Sequence, residues 1–199
     1  EQPSLRPDPS ALSEPAEGEP ISGSAAMAAL ADAWPTGGIA VVETPSSTAA
    51  LRSRLRLSEP GSYYFSSSGG LGFGISAAVG VQLAQPSRPV VCVLGEGSAQ
   101  YGITALWSAA AYKVPVTFLV LRNEEYMILK WFAEFEGEGG LPGLDLPGLD
   151  VAAVGNAYGV PSREVGGAEE LTDALSESIA AQDGPRLIQV PVASGMWLD

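Results

Sequence analysis

The chain is predicted to fold as an α/β domain, a doubly wound, mostly parallel six-stranded sheet with helices on both faces. Three observations predict it. Strand-like and helical runs alternate along most of the sequence, the pattern of a parallel sheet covered on both sides. The stretch PVVCVLGEGSAQYGITALWSAAAYKVPVTFLVLRN, from Pro89 to Asn123, reads as a complete βαβ unit. The length, 199 residues of which 46% are hydrophobic, suits one substantial core.

Each element has its own signal. Residues 1–20 (EQPSLRPDPSALSEPAEGEP) are rich in Pro, Glu and Ser and read as a linker or extended arm, with a globular domain over 21–199. A helix is expected from about Ser24 to Trp34, stopped by Pro35, and a first strand from Gly38 to Glu43. Ser47 is placed to cap a short helix that runs to about Leu55. Gly61–Gly70 is a loop with a short strand at Tyr63–Phe65. The small, apolar run Gly72–Ala84, closed by Pro86, reads as a largely buried helix. Strands at Val90–Leu94 and Val116–Leu121 flank a helix from Ala99 to about Tyr112. Tyr126 to about Phe135 is helical, and Glu136–Leu149 is a Gly/Pro-rich loop carrying the near-repeat LPGLDLPGLD. Asp150 caps a helix through Tyr158 that Gly159 ends. A short strand at Arg163–Val165 follows, then an amphipathic helix from Ala168 to Ala181, with Leu171, Leu175 and Ile179 on one face. The last strand is Arg186–Val192.

The turn after the third strand carries chemistry. In a right-handed parallel crossover, Glu96 and Asn123 lie at the same edge of the sheet, where open α/β sheets bind ligands. Gly95 and Gly97 allow tight geometry, and Ser98 is placed to cap the following helix and to donate to a phosphate. An acid beside a phosphate requires a cation between them, and Glu96 with the Asn123 amide are hard oxygen donors of the kind Mg²⁺ takes. A second reading stands on the turn alone: an ordinary strand-to-helix turn with Glu96 stabilising the helix N-terminus.

Composition narrows the classes. The net charge of −13 argues against nucleic acid or an anionic membrane as partner. With no histidine, the chain has no imidazole for acid–base work. The lone cysteine, Cys92, reads as a small core residue. No signal peptide or long apolar span is visible, so a cytoplasmic location is expected.

The segment as a whole resembles the thiamine-diphosphate-dependent decarboxylase and carboligase family. That family's metal and diphosphate motif is Gly-Asp-Gly, some two dozen residues, then Asn-Asn. Here it stands as Gly95-Glu96-Gly97, twenty-four residues, then Arg122-Asn123. The blocks GSYYFSSSGGLGFGISAAVGVQLAQPSRPV, GEGSAQYGITALWSAAAYKVP and YMILKWFAEFEGEGGLPGLDLPGLD are similar to the benzoylformate decarboxylase branch. The resemblance implies the family's thiamine-diphosphate-binding fold, thiamine diphosphate and Mg²⁺ as cofactors, and a role in 2-keto acid decarboxylation.

The same resemblance implies roles for single residues. Ser46, Gly95, Gly97, Ser98 and Tyr126 would meet the diphosphate, with Glu96, Asn123 and the carbonyl of Glu125 on the metal. Gly69 and Leu71 would meet the aminopyrimidine, Leu71 as the apolar wedge that bends the cofactor; the other reading of Leu71 is core. Leu129 and Phe132 would face the substrate; their spacing also suits plain core packing. No residue of this chain is expected to be catalytic. The acid–base groups would come from a pyrimidine-binding domain, of the same or another chain, in a homo-oligomer. The chain would then be a fragment or one subunit, inactive alone, with apolar surface left for partners.

Three departures from the pattern matter. Glu96 stands for the aspartate, Arg122 for the first Asn, and Pro45 for a residue that often helps bind phosphate. Arg122 could contact phosphate or pair with Glu124 or Glu125. Glu96→Asp is expected to strengthen metal-dependent cofactor binding, because aspartate has the reach the family's site is built around; weaker binding would mean that the backbone here suits glutamate. Two other readings are an acetolactate-synthase-like carboligase domain and an interaction module that keeps the fold without the metal site.

Overall fold

The computed structural model describes residues 19–196. The expected arm at 1–20 lies almost wholly outside these residues; within them, Ile21 already bridges to Val192 in parallel. The element order is α1 (Gly23–Asp32), β1 (Ile39–Glu43), a 3₁₀ turn (Pro45–Ser47), α2 (Thr48–Arg54), β2 (Tyr63–Phe65), α3 (Gly74–Ala84), β3 (Val90–Gly95), α4 (Glu96–Gln100), α5 (Ala105–Ala111), β4 (Val116–Arg122), α6 (Met127–Phe135), α7 (Val151–Ala157), β5 (Ser162–Glu164), α8 (Ala168–Ala180) and β6 (Arg186–Pro191).

The six strands form one sheet in the order β2-β1-β3-β4-β6-β5, every pair parallel. β1 is buried along its whole length, and β3 and β4 up to their last residue, as strands covered on both faces must be. Their side chains alternate between two cores. Ala40, Val42, Val91, Val93, Leu119 and Ile188 pack under α1, α2 and α8. Val41, Cys92, Leu94, Phe118 and Val120 pack under α3, α5 and α7. The chain runs outward from β1 to β2 and returns to β3 on the other side of β1. The C-terminal edge between β1 and β3 is therefore the switch point of the sheet, where such folds bind ligands.

Several local expectations are corrected. The single helix expected over Ala99–Tyr112 starts earlier, at Glu96, and breaks at residues 101–104. The break has a packing cause: a Cβ on Gly102 would sit 2.9 Å from the carbonyl oxygen of Gly72, so two backbones touch there and the helix turns aside. Ser98 lies inside α4, whose N-cap is Gly95, and so does not cap it. Ser47 precedes α2 without a side-chain cap bond; Thr48 Oγ1 donates back to the Thr44 carbonyl at 2.8 Å instead. The strand expected at Arg163–Val165 is displaced by one residue. α3 is only half buried: Ile75, Ala78 and Val79 face the core, whereas Gly80 and Leu83 face outward. Asp150 does cap α7, its carboxylate accepting from the Ala153 N–H at 2.9 Å.

Among the described residues, large apolar side chains are exposed at Phe65 on β2 and on two further faces. Leu83, Tyr101, Trp107 and Tyr112 lie out on the α3–α5 side, and Leu129, Phe132, Phe135 and Leu141 on and beside α6. No helix among the described residues is long and apolar enough to cross a membrane.

Cys92 is fully buried in β3. Burial pushes its thiol well above its ordinary 9.0, and the nearby Glu43 carboxylate adds to the rise. Iodoacetamide is expected to leave the native chain unmodified and to label it only in denaturant, read by mass spectrometry.

Candidate functional site

A cleft at the switch point is lined by Thr44–Ser47 after β1, Gly95–Ser98 after β3, Asn123 and Glu125–Ile128 after β4, and Val192 after β6. Register brings them together, because Gly95 pairs with Leu121 across the β3–β4 ladder. Glu96 and Asn123 then meet one residue beyond the strands, Glu96 Oε1 accepting the Asn123 N–H at 3.0 Å. The expected juxtaposition is observed. The cavity is about 40 Å³. A second cavity of about 160 Å³ adjoins it through Thr44 and Pro45, lined also by Arg52, Tyr63, Phe65, Gly69, Gly70 and Leu71. Leu71 is thus a half-exposed lining residue and not part of the core.

Glu96 is a buried carboxylate, 1% exposed. Burial raises its pKa above the ordinary 4.5, and hydrogen bonds from its own N–H and those of Glu124, Asn123 and Glu125 oppose the rise. The sign follows. A carboxyl whose folded pKa is raised stabilises the fold below its unfolded pKa, and that stability is lost as pH rises through the folded value. At neutral pH, Glu96→Gln is therefore expected to raise the melting temperature of the ligand-free chain, with the gain vanishing below about pH 4. A melting curve indifferent to the substitution at both pH values would contradict the buried-charge assignment. A buried acid at a strand end whose pKa burial raises points to use.

The rest of the donor set is oxygen. Asn123 Oδ1 accepts the Glu125 N–H at 3.2 Å. Glu124 has φ +60, and this left-handed residue turns the chain so that Glu125 pairs with Asp145. The Glu125 side chain points elsewhere: Lys130 Nζ donates to its Oε2 at 2.6 Å, and Ser194 Oγ donates to its Oε1. Lys130 also bonds Asp145 at 2.5 Å, and these two acids, Asp145 first, raise its pKa. Only the Glu125 carbonyl is left for a metal, as expected from the resemblance. Among the described residues, no group of three or more His, Cys, Asp or Glu is placed to hold an ion. A cation here would rest on Glu96, the Asn123 amide oxygen, a carbonyl and the oxygens of a ligand, a hard set that fits Mg²⁺.

Arg122 pairs with Glu124 at 3.5 Å and with Glu164 on β5 at 3.4 Å, not with Glu125. Its buried Nε has no partner. The Tyr126 ring lies on Gly97, where an added Cβ would come within 2.5 Å of Cε1. Burial, bonding to Tyr101 and the charges of Tyr101 and Glu96 push the Tyr126 phenol up to about 12, so it stays a neutral donor. Gly95 differs: its nearest foreign atom would be Ser98 Oγ at 3.9 Å, which leaves open space for a ligand. Ser46 and Ser98 both line the cleft. Leu129 and Phe132 are 47% and 51% exposed, which overturns the core-packing reading of their spacing.

Sequence reasoning missed Glu43. Read as the last residue of β1, it proves to be a buried acid that accepts three backbone N–H groups, from Gly72, Phe73 and Gly74. A lone acid at a strand end carries no local signal of such partners thirty residues away. Lys130 was missed for the same reason.

The comparisons agree with this geometry. The chain is 47% identical over 194 residues to benzoylformate decarboxylase from Pseudomonas aeruginosa, covering 96% of this chain and 37% of that one. It is 35% identical over 125 residues to the acetolactate synthase isozyme 3 large subunit of Escherichia coli, covering 62% and 22%. The fold matches a solved thiamine diphosphate-dependent 4-hydroxybenzoylformate decarboxylase from Rhodococcus jostii with TM-score 0.86 at 44% identity, covering 90% and 34%. It matches benzoylformate decarboxylase from Polynucleobacter necessarius with TM-score 0.86 at 36% identity, covering 92% and 35%. The chain thus spans about a third of the length of the decarboxylases it matches. Residues 43–190 match the family model described as thiamine pyrophosphate enzyme, C-terminal TPP binding domain. This interval runs from the end of β1 into β6 and holds nearly all of the switch-point cleft, so the chain belongs to the family of C-terminal thiamine-diphosphate-binding domains.

Proposed function

We propose that this domain holds thiamine diphosphate through a divalent cation, Mg²⁺, as the cofactor-binding part of a 2-keto acid decarboxylase that acts on benzoylformate or a close analogue. The observation that carries the metal assignment is the buried Glu96 carboxylate, brought to Asn123 at the switch point with open space beside Gly95. Glu96, Asn123 Oδ1 and the Glu125 carbonyl would hold the cation. Ser46, Gly97, Ser98 and Tyr126 would receive the diphosphate, the Tyr126 phenol as a neutral donor. Gly69 and Leu71 would meet the aminopyrimidine along the adjoining cavity, and Leu129 and Phe132 would face the substrate.

Bound thiamine diphosphate supplies the electron sink that decarboxylation of a 2-keto acid requires. This chain's residues bind and orient it. Proton transfer falls to a pyrimidine-binding domain, of this or another chain, within a homo-oligomer. The likeness to the Pseudomonas decarboxylase, closer and longer than that to the acetolactate synthase, supports the lyase reading over the carboligase one.

Calorimetric titration of the chain with thiamine diphosphate at fixed Mg²⁺ should show saturable binding that a chelator abolishes. Equal binding in the chelator, or none in Mg²⁺, would overturn the proposal. The isolated chain should release no CO₂ from benzoylformate with both cofactors present, since it holds no histidine for proton transfer; measurable turnover would contradict the division of labour.

A further inference from the structure

Glu43 lies at the C-terminal end of β1, 7% exposed, and its carboxylate reaches across to the start of α3. Oε1 accepts the N–H of Gly72 at 2.6 Å and of Phe73 at 3.2 Å, and Oε2 accepts that of Gly74 at 2.8 Å. The N–H groups of Phe73, the N-cap, and Gly74 are among those that a helix start leaves without intrahelical partners; Gly72 just precedes the cap. The receptor is built for this acid. A Cβ on Gly74 would sit 2.8 Å from Glu43 Oε2, so only glycine lets the carboxylate in. Gly72, with φ +98, would place a Cβ 3.0 Å from the Tyr101 carbonyl, so the same backbone is also gripped from the turn after α4. The residue just before this double grip is Leu71, which lines the cavity adjoining the diphosphate cleft.

We infer that Glu43 is a positioning residue: it fixes the loop that carries Leu71, and so sets the wall against which the non-phosphate part of the cofactor is held. The inference rests on the proposed cofactor reading. Glu43 itself lines the same cavity as Leu71, but no contact with cofactor or metal is assigned to it. Its action runs through three backbone amides to Leu71.

The test separates the two halves of the ligand. The full chain is titrated, with Mg²⁺, with thiamine diphosphate and with inorganic diphosphate. Glu43→Gln keeps the size but places an NH₂ group against N–H donors. It should weaken thiamine diphosphate about 10-fold or more, the scale for lost supporting hydrogen bonds, and leave inorganic diphosphate unchanged. Leu71→Ala should show the same selectivity, and the double variant no further loss, because the two residues act in series. Equal weakening of both ligands, or additive losses, would overturn the inference, since a merely structural role moves both.

Hydrogen exchange on the unsubstituted chain decides the matter even if Glu43→Gln fails to fold. The amides of Gly72, Phe73 and Gly74 should be protected without any ligand. Exchange that slows only when thiamine diphosphate binds would mean the cofactor, not Glu43, orders the loop. Should the unsubstituted chain bind neither ligand, the cofactor proposal fails, and amide protection still decides whether Glu43 holds the loop.

Discussion

Glu96→Gln is expected to cost at least about 100-fold in Mg²⁺-dependent affinity for thiamine diphosphate while the fold stays intact, since even groups that only support metal ligands cost 10–100-fold. The change is nearly isosteric. Glutamine keeps an oxygen for the Asn123 N–H, now bonded at 3.0 Å. What it removes is the anionic oxygen that a hard cation needs. The other protein donors, an amide oxygen and a carbonyl, are neutral. Weaker binding together with a higher melting temperature at neutral pH would separate loss of the site from loss of the fold. Glu96→Asp is also expected to weaken binding. Shortening the side chain by roughly 1–1.5 Å withdraws the carboxylate from the turn at 122–125 that now meets it. This reverses the strengthening expected from the residues, because the observed bond favours a backbone suited to glutamate. Calorimetric titrations of both variants at fixed Mg²⁺ check the pair.

Gly97→Val is expected to destabilise the chain by about 1–3 kcal/mol, the usual cost of overpacking a closed site. The first added carbon alone would stand 2.5 Å from Tyr126 Cε1 and 3.1 Å from Leu146 Cδ1. The Tyr126 backbone is held, its N–H donating to the Leu144 carbonyl at 2.8 Å, and Leu146 Cδ1 stands on the same added carbon, so relief has to move side chains of both residues. The strain should therefore pass into the 144–146 strap and loosen the cleft, so affinity falls along with stability. Gly95→Ala is the control. Its φ of −80 suits any residue and its surroundings are open, so stability should hold. Binding should still suffer, because the methyl group enters the space assigned to the diphosphate. Denaturant melts and ligand titrations of the two variants should show these different patterns. Equal stability losses would refute the close contact at Gly97.

Much of this was legible in the residues, for physical reasons. Val90–Leu94 and Val116–Leu121 are apolar runs closed by polar turns, and crossover handedness does the rest, so the residues alone put Glu96 and Asn123 at one edge. Asp150 and Gly159 bracket α7 with local chemistry, a cap and a left-handed stop, and both are observed. The short strand Tyr63–Phe65 has its expected bounds.

What stayed hidden depends on contacts distant in sequence. The helical pattern of Ala99–Tyr112 is locally sound; it breaks because Gly102 meets the backbone of Gly72. Glu43 looks like any acid at a strand end until α3 arrives above it. Lys130 looks like a solvated helix residue until the 136–149 loop returns and sets Asp145 beside it. In each case, periodicity and capping describe the segment, while its partner lies elsewhere in the chain.

The central claim is that Glu96 and Asn123 share one cation with the cofactor's diphosphate. Anomalous diffraction from crystals grown with thiamine diphosphate and Mn²⁺ in place of Mg²⁺ tests it most directly. The account predicts one ion, at about 2.0–2.2 Å from the Glu96 carboxylate and Asn123 Oδ1, with diphosphate oxygens completing its shell. An ion bound elsewhere, or a cofactor seated in the cleft with no ion beside Glu96, would contradict it.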